Sequence, residues 1–216
     1  MGVILGIDCC LRKTSVGCVR NGAVLGDIHL DLDRRQGALL PVVQEGLLRA
    51  LELHLADLDA IALTVGPGYF TGVRVGLAYG TALAEALGLP VVPVGTLEAL
   101  ASSAVGATHT VVPMIWARHG ASYVGAYDLS EGEELLSPQM VEDIELNNVL
   151  GLLPSPQIVV GEGIDRWAPW TDSAGVRRVE TRISAAIVAL LGEKRLGDAM
   201  SPQSVRASYL RKHDVN

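Results

Sequence analysis

The sequence predicts an α/β protein, and three observations carry that prediction. Apolar residues supply 49% of the 216-residue chain while aromatics supply 4%, with Phe70 the single phenylalanine. A core drawn from Val, Leu, Ala and Gly suits sheets buried on at least one face. The chain opens with three short strand-like runs and then alternates apolar helical stretches with short Val-rich strands. Its length admits one large domain or two small lobes of ~100 residues each.

Taken in order, residues 3–10 (VILGIDCC) read as a strand that runs into Leu11-Arg12-Lys13-Thr14. Residues 15–20 return as a second strand, and Asn21-Gly22 is a two-residue turn signal leading to a third at about 23–30. This is a meander, not the βαβ opening of a dinucleotide-binding domain. Residues 38–53 form a helix whose apolar positions Leu39, Leu40, Val43, Leu47, Leu48 and Leu51 exceed the single stripe of a surface helix. A buried strand at 59–65, a helix to about Leu87, a strand at 91–94 and a helix at about 96–104 follow. In the second half, 110–117 and 122–128 read as a hairpin around Arg118-His119-Gly120, then a polar stretch at 129–138 and a weak helix near 141–152. A strand at 157–161, a helix at 182–192 and a tail at 203–212 close the chain. No internal repeat, low-complexity segment or linker stands out, and the lobe boundary is expected near 100–110.

The formal net charge of −7 repels phosphate backbones and argues against autonomous nucleic-acid binding. Apolar stretches are broken by Gly, Pro or charge before the roughly 18–20 residues a spanning helix needs. The run Val3–Ile7 is cut short by Asp8 and is too brief for a signal-peptide core. The expectation is a cytosolic chain whose three cysteines, Cys9, Cys10 and Cys18, are reduced core residues with no zinc-type spacing.

The most informative segment is Val65-Gly66-Pro67-Gly68-Tyr69-Phe70-Thr71-Gly72-Val73-Arg74, set where a strand gives way to a helix. Thr71 is placed to cap that helix, and exposed N–H groups there would hold an anion. The glycines are spaced one residue longer than a dinucleotide fingerprint, so a purely structural turn stands as the other reading. Along the helix, Gly72, Gly76, Gly80 and Ala84 recur every four residues and form one smooth face. Each helix glycine costs ~1 kcal/mol relative to Ala, which calls for close packing, either on the protein's own sheet or at a subunit interface. Asp8, at the end of the first strand, either orients a metal-bound phosphate or simply ends the strand. No phosphate-binding GxxxxGK[ST], no GxSxG and no metal-type histidine pair occurs among His29, His54, His109, His119 and His213. His119 reads as a solvated turn residue, and Trp116, Trp167 and Trp170 as packing residues.

The segment Gly66–Arg74 resembles the GPGSFTGLR-type signature of the TsaB (YeaZ) family, with Tyr69 where that family usually has Ser. Leu5-Gly6-Ile7-Asp8 with Thr14-Ser15-Val16 is similar to the family's opening hairpin. Leu39-Leu40-Pro41, Gly95-Thr96-Leu97 and Ser208-Tyr209-Leu210-Arg211 resemble later family segments in the expected order. Two departures stand out. The family's His before LLP is replaced by the Arg35-Gln36-Gly37 region, and its DARxGEVY hairpin appears as Trp116–Tyr123 without either acid. A divergent member with shifted partner contacts would look like this.

The resemblance implies an ASKHA fold of two lobes, related to actin, Hsp70 chaperones and sugar kinases and RNase H-like in its sheets. The lobes are expected at 1–104 and 105–216, with the tail from about 203 able to pack back on the first. It implies a non-catalytic subunit that pairs with TsaD in synthesis of N6-threonylcarbamoyladenosine at adenosine 37 of ANN-decoding tRNAs, together with TsaC and TsaE. TsaE is met through the complex, tRNA only indirectly, and a homodimer forms when the partner is absent. No intrinsic cofactor is expected; a nucleotide at the interface with a partner is left open, with Asp8, Gly66, Gly68 and Thr71 as candidate contacts. The expected partner face consists of Leu40, Val43, Leu47, Gly72, Gly76, Gly80 and Ala84. The alternatives are an ATP-dependent phosphotransferase of the same fold, using Asp8 and the 66–72 loop, and a peptidase, for which no activated nucleophile is in view.

Overall fold

A computed structural model describes residues 2–104 and 110–210. Contacts divide them into two units. Unit 1 runs to Ala99 and takes in Ile183–Ser208, while unit 2 contains Leu100–Arg182.

Unit 1 is built on a five-stranded sheet in the order β3-β2-β1-β4-β5. β1 (Val3–Asp8), β2 (Thr14–Arg20) and β3 (Ala23–Leu30) form the antiparallel meander. Its tight turn works because Asn21 (φ 53°) and Gly22 (φ 75°) both tolerate the left-handed region that matches strand twist. β4 (Leu58–Thr64) and β5 (Val91–Val94) then add parallel to β1. α1 (Gln36–Ala50) precedes β4, and α2 (Phe70–Leu87) lies between β4 and β5. Gly88 ends α2 in a left-handed cap, φ 67°, with its N–H turned back to Ala84 and Glu85. α3 (Thr96–Ser102) follows β5.

Residues alternate across β1. Val3, Leu5, Ile7 and Cys9 join the core with Leu40, Leu47 and Leu48 of α1 and Ala84 of α2. Gly6 faces the other way, against a segment far along the chain. The division at 104/105 therefore needs correction: α6 (Ala185–Lys194) packs in unit 1. Gly6 and Gly17 are direct cross-strand partners, and a Cβ on either would stand 1.9 Å from the Ala185 carbonyl or 2.3 Å from the Ala186 nitrogen. The two glycines make a flat spot that seats the first turn of α6. Asp27 and Ser184 secure it, the serine hydroxyl donating to Asp27 Oδ2 at 2.5 Å.

Unit 2 has the sheet order β10-β9-β6-β7-β8. β6 (Thr110–Arg118) and β7 (Ala121–Asp128) form the expected hairpin, and β9 (Gln157–Gly161) lies parallel to β6. β8 (Glu133–Glu142) and β10 (Val176–Glu180) occupy the two edges. Six of the ten residues of β8 lie in the stretch read as polar loop, and its last two fall in the expected helix 141–152, which shrinks to α4 (Leu146–Gly151). An edge strand exposes one row of backbone and much of its surface, so it carries Glu, Ser and even Pro138 without the alternation of an inner strand. α5 (Ala168–Thr171) is a single turn. Met114, Val124, Leu146, Val159 and Trp167 centre the core. No helix of the described residues is long and apolar enough to cross a membrane.

Candidate functional site

The carboxyl ends of β1 and β4 bring Asp8 beside the glycine-rich loop. Asp8 is 1% exposed, and its Oδ1 accepts from Thr64 Oγ1 at 2.6 Å and from the Cys10 N–H at 3.1 Å. The Cys10 thiol donates in turn to Thr64 Oγ1 at 3.2 Å. Burial, reinforced by the Asp8 charge, pushes the Cys10 thiol up to about 12 and holds Cys9 well above its ordinary range. These are protonated core thiols. Asp8 serves to tie β1 to β4, and among the described residues no group of three or more His, Cys, Asp or Glu is arranged to hold a metal.

The glycine-rich loop is folded down on this network. The Gly66 N–H donates to Thr96 Oγ1, the Gly66 carbonyl accepts from the Thr96 N–H, and the Tyr69 N–H donates to the Cys10 carbonyl at 2.8 Å. Ser208 adds its N–H to the Val65 carbonyl at 2.7 Å. A Cβ on Gly66 would stand 2.5 Å from the Ser208 carbonyl, and one on Gly68 would stand 2.4 Å from the Cys10 carbonyl. Gly66 and Gly68 are thus structural: they let three segments meet at backbone distance, and the loop amides at 66 and 69 already have acceptors. Thr71 does not cap α2. The cap position is Tyr69, whose side chain does not cap the helix amides, and Thr71 lies one residue inside the helix, exposed. Thr71 does line an open cavity of about 590 Å³ together with Arg12, Arg34, Gln36, Tyr69 and Gly72.

The expected partner face also needs correction. Gly72, Gly76, Gly80 and Ala84 all turn inward. A Cβ on Gly72 would stand 2.0 Å from the Cys9 carbonyl, one on Gly76 3.2 Å from Cys9 Cβ, and one on Gly80 2.6 Å from Leu63 Cδ2. Leu40 and Leu47 are buried and Val43 is half-buried against the same core. The stripe exists so that α2 can lie close on β1 and β4, the alternative reading of its periodicity. Gly76→Leu and Gly80→Leu would disturb the unit's own core.

The outward faces differ. On α1, Val42 is 60% exposed, and open space surrounds the position a Gly46 Cβ would take. On α2, Ala78 and Ala82 are exposed. Sequence reasoning missed these positions because it followed the strongest period; the exposed residues are small and interleaved with charge at Glu45, Arg49 and Arg74.

Comparison with known proteins places this architecture. The family model described as TsaD, tRNA N6-adenosine threonylcarbamoyltransferase, matches residues 33–158. The tRNA threonylcarbamoyladenosine biosynthesis protein TsaB of Escherichia coli (strain K12) is 34% identical over 182 residues, 78% of this chain and 74% of that one. The chain belongs to the TsaB (YeaZ) family. Its Bacillus subtilis (strain 168) relative of the same description is 29% identical over 140 residues, 65% of this chain and 60% of that one. The solved structure of YeaZ from Pseudomonas aeruginosa superposes with a TM-score of 0.80 at 27% identity, covering 97% of this chain and all of that one. The fold is the two-lobed ASKHA class that the family resemblance implied.

Proposed function

We propose that this TsaB-family chain is a non-catalytic subunit that pairs with a TsaD-type transferase in making N6-threonylcarbamoyladenosine on tRNA. Similarity to the E. coli and B. subtilis proteins, both described as acting in that biosynthesis, supports the pathway. One observation supports the pairing role and moves its location: α1 and α2 turn small and apolar residues outward at Val42, Gly46, Ala78 and Ala82. A glycine inside a helix costs about 1 kcal/mol relative to Ala, and nothing among the described residues crowds Gly46. A partner helix laid across that position would account for it, as tight helix packing demands small residues at the crossing. In this reading the same surface closes a homodimer when the partner is absent. A nucleotide, where one takes part, is held jointly with the partner, and the complex works in the cytoplasm.

The test is size exclusion with light scattering on this chain mixed with TsaD from the same organism. A 1:1 complex is expected for the parent. Gly46→Leu combined with Ala78→Arg should abolish it while leaving the melting temperature of the isolated chain unchanged. A folded double variant that pairs as well as the parent would remove this face from the proposal.

A further inference from the structure

An open groove of about 690 Å³ runs along α1 and the chain that follows it, wholly within unit 1. Its apolar lining comes from Pro41 and Leu48 of the helix and from Leu53 and Leu55 beyond it. The chain doubles back there because Glu52 takes a left-handed backbone, φ 55°, and the Leu53 N–H returns to the Leu48 carbonyl at 2.9 Å. Helices commonly end this way, but Gly or Asn is the residue that suits the left-handed position. Here it is a glutamate, exposed and with no ion-pair partner among the described residues. Leu48 is buried at the base of the groove, while Leu55 stays 41% exposed beside it.

Gln44 sets this groove apart from ordinary surface. The residue is only 5% exposed, yet it lines the groove. Its Oε1 accepts from the Tyr79 hydroxyl at 2.9 Å, and its amide nitrogen donates to nothing among the described residues. That nitrogen is not sealed away either, so its two N–H groups open on the groove. Buried polar groups in folded proteins nearly always find partners, and one left without costs stability. Folding alone would favour an apolar side chain at this position.

We infer that the groove receives the last turn of a helix from the TsaD-type partner. A carbonyl of that turn accepts from Gln44, and an apolar side chain beside it packs on Leu48, Leu53 and Leu55. The inference rests on the pairing reading above. Val42 and Gly46 are the next positions round α1 from the groove, with Glu45 and Arg49 between, so a partner laid on them borders it. The final carbonyls of a helix have no donors within the helix, which answers the free amide. The same turn favours Lys or Arg, which answers the unpaired Glu52. A purely apolar ligand would satisfy neither.

Affinity for TsaD from the same organism would be measured by titration calorimetry on the full chain, parent and variants side by side. Gln44→Met keeps the length and burial of the side chain and removes its donors. Affinity should fall about tenfold, since a buried acceptor on the partner is left stranded. Tyr79→Phe breaks the same internal hydrogen bond but leaves the amide in place, and should change affinity by less than about twofold. Leu55→Asp, at an exposed position, should weaken pairing about tenfold or more with the melting temperature of the isolated chain unchanged. Glu52→Lys should weaken it at low salt and lose most of that effect at high salt. Equal weakening by Gln44→Met and Tyr79→Phe would trace the effect to packing between α1 and α2 and overturn the assignment. Parent-like affinity in both Gln44→Met and Leu55→Asp would overturn it too. If Gly46→Leu with Ala78→Arg still abolishes the complex in that case, the groove falls and the pairing face stands. A parent chain that does not bind TsaD removes both readings.

Discussion

The two units thread their strands identically. Unit 1 runs β3-β2-β1-β4-β5, and unit 2, read from its opposite edge, runs β8-β7-β6-β9-β10. In each, an antiparallel meander is followed by two strands added parallel to its first. What differs is how covering segments are fastened to the sheet. Unit 1 carries helices of 15, 18 and 10 residues, the second and third seated where glycines let backbone approach backbone. Unit 2 has helices of six and four residues and fastens them with a buried polar chain. There the Trp167 indole donates to Ser122 Oγ at 2.8 Å, and Ser122 donates to Asp143 Oδ1 at 2.7 Å. One strand order therefore supports two kinds of attachment, and only the first leaves long helical faces free for a partner. Strand topology says little about function here; the covering helices say more.

That contrast can be broken most severely at Gly72. Gly72→Ala places a methyl 2.0 Å from the Cys9 carbonyl. With backbone as the obstacle, about 3 kcal/mol or more of unit 1's stability should be lost, read as a lowered urea midpoint. A midpoint within experimental scatter of the parent would mean that α2 is not held at backbone distance. In unit 2, Ser122→Ala removes an acceptor from Trp167 and a donor from Asp143, both buried. About 1–3 kcal/mol should go, with near-ultraviolet tryptophan ellipticity reporting the loosened ring. Retained ellipticity together with full stability would show that the polar chain is not the fastener.

The cysteines offer a gentler probe of unit 1. Burial first, and then the Asp8 or Asp27 charge, pushes the thiols of Cys10 and Cys18 up to about 12. A folded value above the unfolded one, near 8.5, means the stabilisation is complete below that pH. It is lost as pH rises toward about 12. The denaturation midpoint should accordingly be lower at about pH 10.5 than at neutrality, and a disulfide reagent should label no thiol before unfolding. Labelling of Cys9 or Cys10 in the native chain at neutral pH would contradict the seating of α2 over Cys9 and of the glycine-rich loop over Cys10. The smallest effect concerns the outward face. Gly46→Ala should raise the isolated chain's stability by about 0.5–1 kcal/mol while weakening its association with the partner. A destabilised variant would show that Gly46 meets a need within the chain itself.

The sequence by itself determined the α/β class, the opening meander with its Asn21-Gly22 turn, both long helices, and the strands β4, β5, β6, β7 and β9. Each rests on local physics: turn residues that accept φ > 0, and apolar runs long enough to show their period. The two strands it did not show, β8 and β10, are sheet edges, where partial exposure erases the pattern. The repeated strand order was also invisible, because the two units fasten their layers with different residues. Tertiary structure alone decided which way the glycine stripe of α2 points. Periodicity proves that four small residues share a face, yet the same spacing serves a sheet or a partner equally well. It alone assigned α6 to unit 1, since the pairing of Gly6 with Gly17 and the distant Ala185 is a contact between parts of the chain far apart in sequence.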